Sequence, residues 1–201
     1  MQVFKIYPQG FAANSYFLTQ DEKTAVVIDP AQPRIADEAK RRGLTVTHVL
    51  LTHGHFDHIG GCAALQAEGA KVGCLAKEAP LALGKNNMAD YFGGHVPPFS
   101  VDFTFGDGDI LSLNGMQFLV IATPGHTAGG ACFCVGDHLF TGDTLFAGDI
   151  GRSDLPTGSG AQLTESVRKL YAIQGDFTVC PGHGEDTTLE YERHNNGWVR
   201  C

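Results

Sequence analysis

Apolar residues fall in short runs along the chain, and the spacing inside each run separates strands from helices. Phe11 to Leu18 and Lys23 to Ile28 read as consecutive strands. The second is a continuous Ala-Val-Val-Ile stretch, the pattern of a strand buried on both faces, and it ends at Asp29-Pro30. Pro33 stands where a helix would begin, and Arg34 to Arg42 can carry that helix to a stop at Gly43. Val46 to Leu51 is another buried strand, broken by Thr52-His53-Gly54, and a helix is expected from about Ile59 to Glu68. Residues 79 to 100 show no period and contain Gly93-Gly94 and Pro97-Pro98; a loop of that length is more often functional than idle. From Asp102 to Phe140 short strands alternate with turns at Asp107-Gly108 and Asn114-Gly115, the latter a strong hairpin signal. Gln162 to Ile173 places Leu163, Val167, Leu170 and Tyr171 on one face of an amphipathic helix, and Phe177 to Cys180 is a last short strand. No linker or break in composition interrupts this order, so residues 1–201 read as one α/β domain.

Composition narrows the class. With 43% hydrophobic and 18% charged residues the chain is globular, and at 201 residues it can bury roughly 70% of its unfolded surface. A formal net charge of −8 argues against nucleic acid or an anionic membrane as the main partner. No apolar run approaches the ~20 residues that span a bilayer, and Met1 to Pro8 lacks the apolar core of a signal peptide. The six cysteines, Cys62, Cys74, Cys132, Cys134, Cys180 and Cys201, include no C-x-x-C pair, so reduced thiols in a cytoplasmic protein are expected. Cys132 and Cys134 flank Phe133 and point to one face, as small buried hydrophobes would.

The histidines change the picture. Thr52-His53-Gly54-His55-Phe56-Asp57-His58 packs three imidazoles and a carboxylate into one turn directly after a buried strand. Neutral imidazole and carboxylate oxygen are ligands that suit zinc, iron and manganese. Three later segments repeat the design of a strand followed by a glycine-flanked ligand: Thr123-Pro124-Gly125-His126-Thr127, Phe140-Thr141-Gly142-Asp143-Thr144 and Cys180-Pro181-Gly182-His183-Gly184. One open zinc site uses three protein ligands. The seven candidates, His53, His55, Asp57, His58, His126, Asp143 and His183, therefore suggest two metals sharing a bridging carboxylate.

In residue types, order and spacing these motifs resemble the metallo-β-lactamase superfamily, and the likeness runs along nearly the whole chain. The resemblance implies a four-layer αβ/βα sandwich, two facing sheets between helices, with metals at the sheet edges. Carried onto the matching positions, it makes His53, His55 and His126 ligands of a first metal. Asp57, His58 and His183 become ligands of a second, and Asp143 the bridge.

Single residues distinguish the branches of that family. Zinc β-lactamases usually have Cys or Ser in place of Asp143, and flavodiiron oxygen reductases have Glu in place of His55 followed by a flavodoxin domain. The tRNA-processing nucleases need a basic arm that this acidic chain lacks. Thr141 to Gly158 resembles both the hydroxyacylglutathione hydrolases (glyoxalase II) and the persulfide dioxygenases. The dioxygenases tend to end their last motif in Ala-His-Asp-Tyr, so Pro181-Gly182-His183-Gly184 favours the hydrolases. Longer glyoxalase II enzymes grip glutathione through a C-terminal helical region; this chain ends at Cys201 and is expected to lack it, like the short glyoxalase II-like members.

The expected activity is hydrolysis of a glutathione-type thioester with two divalent metal ions, zinc first, with iron or manganese fitting the same ligands. A hydroxide bridging the metals attacks the carbonyl, Asp57 orients it, and Asp143 fixes the metal spacing. Arg152 would face the cleft and could pair with a substrate carboxylate, or else with nearby Asp154. His48 and His138 read as ordinary strand residues, His95 could touch substrate from the long loop, and Glu192 to Asn196 reads equally as a family-like ending or a polar helix face. Three alternatives stay open: a mononuclear iron persulfide dioxygenase built on His53, His126 and Asp143, a non-catalytic metal-binding or interaction protein, and a hydrolase of another ester or lactone.

Overall fold

Residues 1–200 are described by a computed structural model; Cys201 lies outside the described residues. The first half builds a six-stranded sheet from β1 (Gln2–Ile6), β2 (Ser15–Thr19), β3 (Thr24–Ile28), β4 (Thr45–Leu51), β5 (Lys71–Leu75) and β6 (Phe103–Phe105), paired in that order. Its first three strands are antiparallel and the rest parallel, joined by α1 (Arg34–Arg41), α2 (Phe56–Ile59), α3 (Cys62–Ala67), α4 (Ala79–Ala82) and α5 (Ala89–Phe92). The second sheet contains β7 (Ile110–Leu113), β8 (Met116–Ala122), β9 (Ala131–Val135) and β10 (His138–Gly142). A small hairpin, β11 (Leu145–Phe146) and β12 (Asp149–Ile150), and α6 (Gly160–Tyr171) then lead to β13 (Thr178–Pro181), β14 (Thr187–Thr188) and α7 (Leu189–Asn195). Here the order is β14-β13-β10-β9-β8-β7, with α6 in the crossover between the parallel neighbours β10 and β13.

Successive residues of a strand point to opposite faces, which is why the apolar runs are continuous. Leu18, Val26, Ile28 and Leu50 of the first sheet meet Phe118, Val120, Phe133 and Phe140 of the second. Their neighbours Phe17, Val27, Val49 and Leu51 face outward onto Ile35 and Ala39 of α1 and Cys62 and Leu65 of α3. Ile121, Cys132, Leu139 and Val179 likewise pack on Val167 and Leu170 of α6 and Leu189 of α7. The result is the four-layer sandwich. Cys62, Cys74, Cys132, Cys134 and Cys180 are free thiols, and burial pushes Cys132 up to about 11 and Cys74 to about 12, so neither is reactive at neutral pH.

Three local expectations need correction. The strand expected from Phe11 begins only at Ser15, because Ala13 and Asn14 give their N–H groups to Asp57 O (3.0 Å) and Gly182 O (2.7 Å) instead of to a neighbouring strand. The helix expected from Ile59 is two short helices divided at Gly60-Gly61, where the backbone crosses the Pro30–Gln32 segment. A Cβ on Gly60 would lie 2.6 Å from Ala31 O, and one on Gly61 2.8 Å from Pro30 O. Residues 79 to 100 hold α4, a 3-10 turn and α5, each too short to show a period. The Asn114-Gly115 turn matches its reading, with both φ angles positive and Leu113 paired to Met116.

Candidate metal centre

All seven candidate residues sit at one end of the sandwich, on loops that leave both sheets. The loop after β4 supplies His53 and His55 and runs into α2, which carries Asp57 and His58 in its single turn. The β8–β9 loop holds His126, β10 ends beside Asp143, and β13 ends beside His183. The loops are sewn together by backbone bonds, Ala131 N–H to Thr52 O (2.8 Å) and Gly182 N–H to Gly142 O (2.8 Å). Two glycines make the close approach possible. A Cβ on Gly142, whose φ is 49°, would collide with the Thr52 hydroxyl, and one on Gly182 would collide with Asp143 and sit 2.6 Å from His58 Cε1.

The side chains converge as two triads. One ligating atom from each of His53, His55 and His126 lies within 4.8 Å of the others, and the same holds for Asp57, His58 and His183. Asp143 stands between them, with Oδ1 3.3 Å from His58 Nε2 and Oδ2 3.5 Å from His126 Nε2 and 3.7 Å from His183 Nε2. Nε2 of His53, His55 and His58 and Oδ1 of Asp143 are buried without a hydrogen-bond partner. An unpaired buried polar group costs about 1–3 kcal/mol, so several among the candidate ligands mark a place built for a further partner. The donor set is imidazole nitrogen and carboxylate oxygen, which fits divalent zinc, iron or manganese.

Groups behind the triads fix which nitrogen faces inward. Asp29 receives the Thr52 N–H (2.8 Å) and hydroxyl (2.5 Å) and pairs with His58 Nδ1 at 2.8 Å. Asp29 also groups with His53 and His58 as a possible ligand set, but its oxygens are already engaged, so it acts as a support. His126 donates its Nδ1–H to Arg152 O at 2.7 Å, which leaves Nε2 with its lone pair toward the site. The buried Glu78 accepts the Gly54 N–H on one oxygen and the Gly129 N–H on the other, both at 2.9 Å, tying the His53–His55 loop to the His126 loop.

Electrostatics sorts the protonation states. Burial holds His53 well below its usual range and His55 at about 4, so both are neutral and able to ligate. Burial would raise Asp143, but His58, His126 and His183 outweigh it and keep the carboxylate ionised. Asp57 behaves alike, with burial opposed by the His183 contact (3.2 Å) and by His58. Burial would lower His58, yet Asp143 and Asp29 hold it well above its ordinary value.

An open cleft of about 570 Å³ lies over Asp57, Asp143, His55, His126 and His183. Its walls come from Pro8 to Ala12, from Phe56, Met88 and Phe92, and from Phe146, Arg152 and Leu155. Arg152 thus reaches the cleft and also binds Asp154 through two 2.7 Å bonds. His95 lies in a separate recess with Lys85 and Asn87, and His48 and His138 are strand residues. Sequence reading missed Asp29, Glu78 and the Pro8–Ala12 wall. A charge closing the buried Ala25–Ile28 run was the available signal for Asp29; nothing local marked Glu78.

Comparison with known proteins agrees with this architecture. The model of the metallo-beta-lactamase superfamily matches residues 8–183. Hydroxyacylglutathione hydrolase GloC of Haemophilus influenzae is 35% identical over 199 residues, covering 94% of each chain. Among solved structures, the B3 metallo-beta-lactamase BLEG-1 superposes with a TM-score of 0.92 at 30% identity, covering 100% of both chains. TTHA1623 in a di-iron-bound form gives 0.87 at 33% identity, covering 98% of this chain and 100% of that one. On the family match and on likeness along nearly its whole length, the chain belongs to the metallo-beta-lactamase superfamily.

Proposed function

We propose that the protein is a binuclear metallohydrolase that cleaves a glutathione-type thioester. The observation that carries this reading is the pair of ligand triads on either side of Asp143, since a mononuclear dioxygenase triad of His53, His126 and Asp143 leaves Asp57, His58 and His183 without a task. The hydroxyacylglutathione hydrolase name of a full-length relative and the di-iron form of a structural neighbour point the same way.

In this reading His53, His55 and His126 would hold one metal and Asp57, His58 and His183 the other, with Asp143, which stands between the triads, serving both. Bound there, two divalent cations, zinc first and iron or manganese by the same donors, would supply Lewis acidity for the thioester carbonyl and for water, whose pKa such ions lower from about 15.7 toward ~7. Asp57, ionised and open to the cleft, orients the attacking water. Water adds to the carbonyl carbon and the C–S bond breaks, giving a carboxylate, the thiolate of a thiol whose pKa is about 8.5, and two protons passed to solvent, so no general acid is required. Arg152 offers its guanidinium to a substrate carboxylate; its pair with Asp154 is solvent-exposed and is exchanged at little cost. Free thiols suit a reducing, cytoplasmic setting, and among the described residues no helix is long and apolar enough to cross a membrane.

Metal analysis and thiol release from glutathione thioesters, measured on one preparation, test the reading. About two metals per chain with thiol release is the expected result. About one iron per chain, with oxygen consumed on a persulfide substrate and no thiol released, overturns it. A β-lactam assayed alongside addresses the activity named for BLEG-1.

A further inference from the structure

The cleft over the candidate centre is walled in good part by aromatic rings, Phe11, Phe56, Phe92 and Phe146. Phe56 and Phe92 stack with centroids 5.7 Å apart and planes 23° from parallel, and the Phe56 ring is seated against Gly94, where a Cβ would come within 2.8 Å of it. Phe92 nevertheless stays 50% exposed, and Phe11, in the loop before β2, is 89% exposed. The Phe11 loop is anchored to the site through the Ala13 N–H bond to Asp57 O. Phe146 stands edge-on to His183, with centroids 6.4 Å apart. Bare aromatic faces gathered around one concavity mark a place where an apolar partner leaves water.

The thiol half of the substrate is a poor partner for these rings. A glutathione moiety carries two carboxylates and an ammonium; Arg152, the one lysine or arginine among the described residues lining the cleft, can answer one of those carboxylates, but none of these charges suits the exposed rings. The acyl half remains. Resting on the thioesterase reading above, we propose that the acyl group is apolar, an aromatic or branched hydrocarbon, received by Phe11 and the Phe56–Phe92 pair.

S-lactoylglutathione and S-mandeloylglutathione differ only in methyl against phenyl, so they isolate this contact. Metal-replete protein is expected to show kcat/KM at least about tenfold higher for the mandeloyl thioester. Phe92→Ala should bring the ratio toward one, which separates contact with the ring from the intrinsic reactivity of the thioester. Binding of free mandelate and lactate, followed by NMR titration, gives a second readout, and mandelate should bind tighter and shift the Phe11 and Phe92 signals. Equal kcat/KM for both thioesters overturns the inference and leaves the thioesterase standing. Failure to release thiol from either one overturns the thioesterase, and the titration then decides the inference: tighter mandelate sustains it, equal affinities end it.

Discussion

Glu78 shows how a residue far from the ligands in sequence can set their placement. Its two oxygens each satisfy one buried backbone N–H, at Gly54 and at Gly129, in the loops that carry His53, His55 and His126. Glu78→Ala leaves both donors unpaired and should cost about 2–5 kcal/mol, read from denaturant unfolding. Burial pushes the Glu78 carboxyl up, with the Gly54 N–H and the Thr127 and Gly129 contacts partly offsetting it. Because the folded value is raised, the stability gained from protonation is fully present below the usual ~4.5 and is lost as pH rises through the folded value. Glu78→Gln removes the ionisable group while keeping its size and one of its two acceptors. The stability difference between wild type and this variant should therefore move in favour of the variant as pH rises from about 4 to 7; a difference flat across that range would refute the assignment. The seven candidate ligands were legible because each interrupts a strand end with glycine, histidine or aspartate at close spacing. Glu78 was not, because a buried acid whose partners are backbone N–H groups leaves no pattern in sequence.

Secondary elements were legible where one local force dominates. α6 follows its apolar face, with Leu163, Val167 and Leu170 buried, and the Asn114-Gly115 turn follows from the left-handed backbone that its residues tolerate. The break between α2 and α3 comes instead from a neighbour distant in sequence. Gly61 has φ −95°, which any residue adopts, so its glycine is required by the Pro30–Gln32 carbonyls alone. Gly61→Ala should cost about 1–3 kcal/mol in denaturant unfolding even though alanine is the better helix former. A stabilised variant would mean that the segment can shift away. β1 and β5 escaped for a related reason: they are defined by their strand partners more than by their own alternation. α7 adds a constraint at the same scale. Its fully buried Glu192 accepts from Gly148 N–H (3.0 Å), the Thr187 hydroxyl (2.8 Å) and the Asn196 amide (2.9 Å), fastening the β11–β12 hairpin that precedes Arg152 and its carbonyl contact to His126. The polar Glu192–Asn196 spacing is thus a buried latch, which the sequence left undecided between two readings.

At the scale of the molecule, the candidate centre lies on the seam between the two sheets. His53, His55, Asp57 and His58 follow a strand of the first sheet, whereas His126, Asp143 and His183 follow strands of the second. Cations held there, on the reading proposed above, cross-link the two halves and bind the folded chain in preference to the unfolded one. One site filled at about a thousandfold over its Kd stabilises by about 4 kcal/mol. For a domain of this size each kcal/mol moves Tm by roughly 2–4 °C, so stripping the metal with a chelator should lower Tm by roughly 8–16 °C per site. Asp143→Ala removes the group between both triads. It should lose metal and at least about a hundredfold in activity together, because even residues behind a metal ligand cost 10–100-fold. Its Tm should also respond little to the chelator, because less metal remains to be stripped. A wild-type Tm unmoved by chelation, with metal loss verified, would separate the cations from the joining of the sheets. The Ala131–Thr52 and Asn14–Gly182 backbone bonds and the packing of Leu18, Val26 and Leu50 on Phe118, Phe133 and Phe140 would then hold the seam unaided.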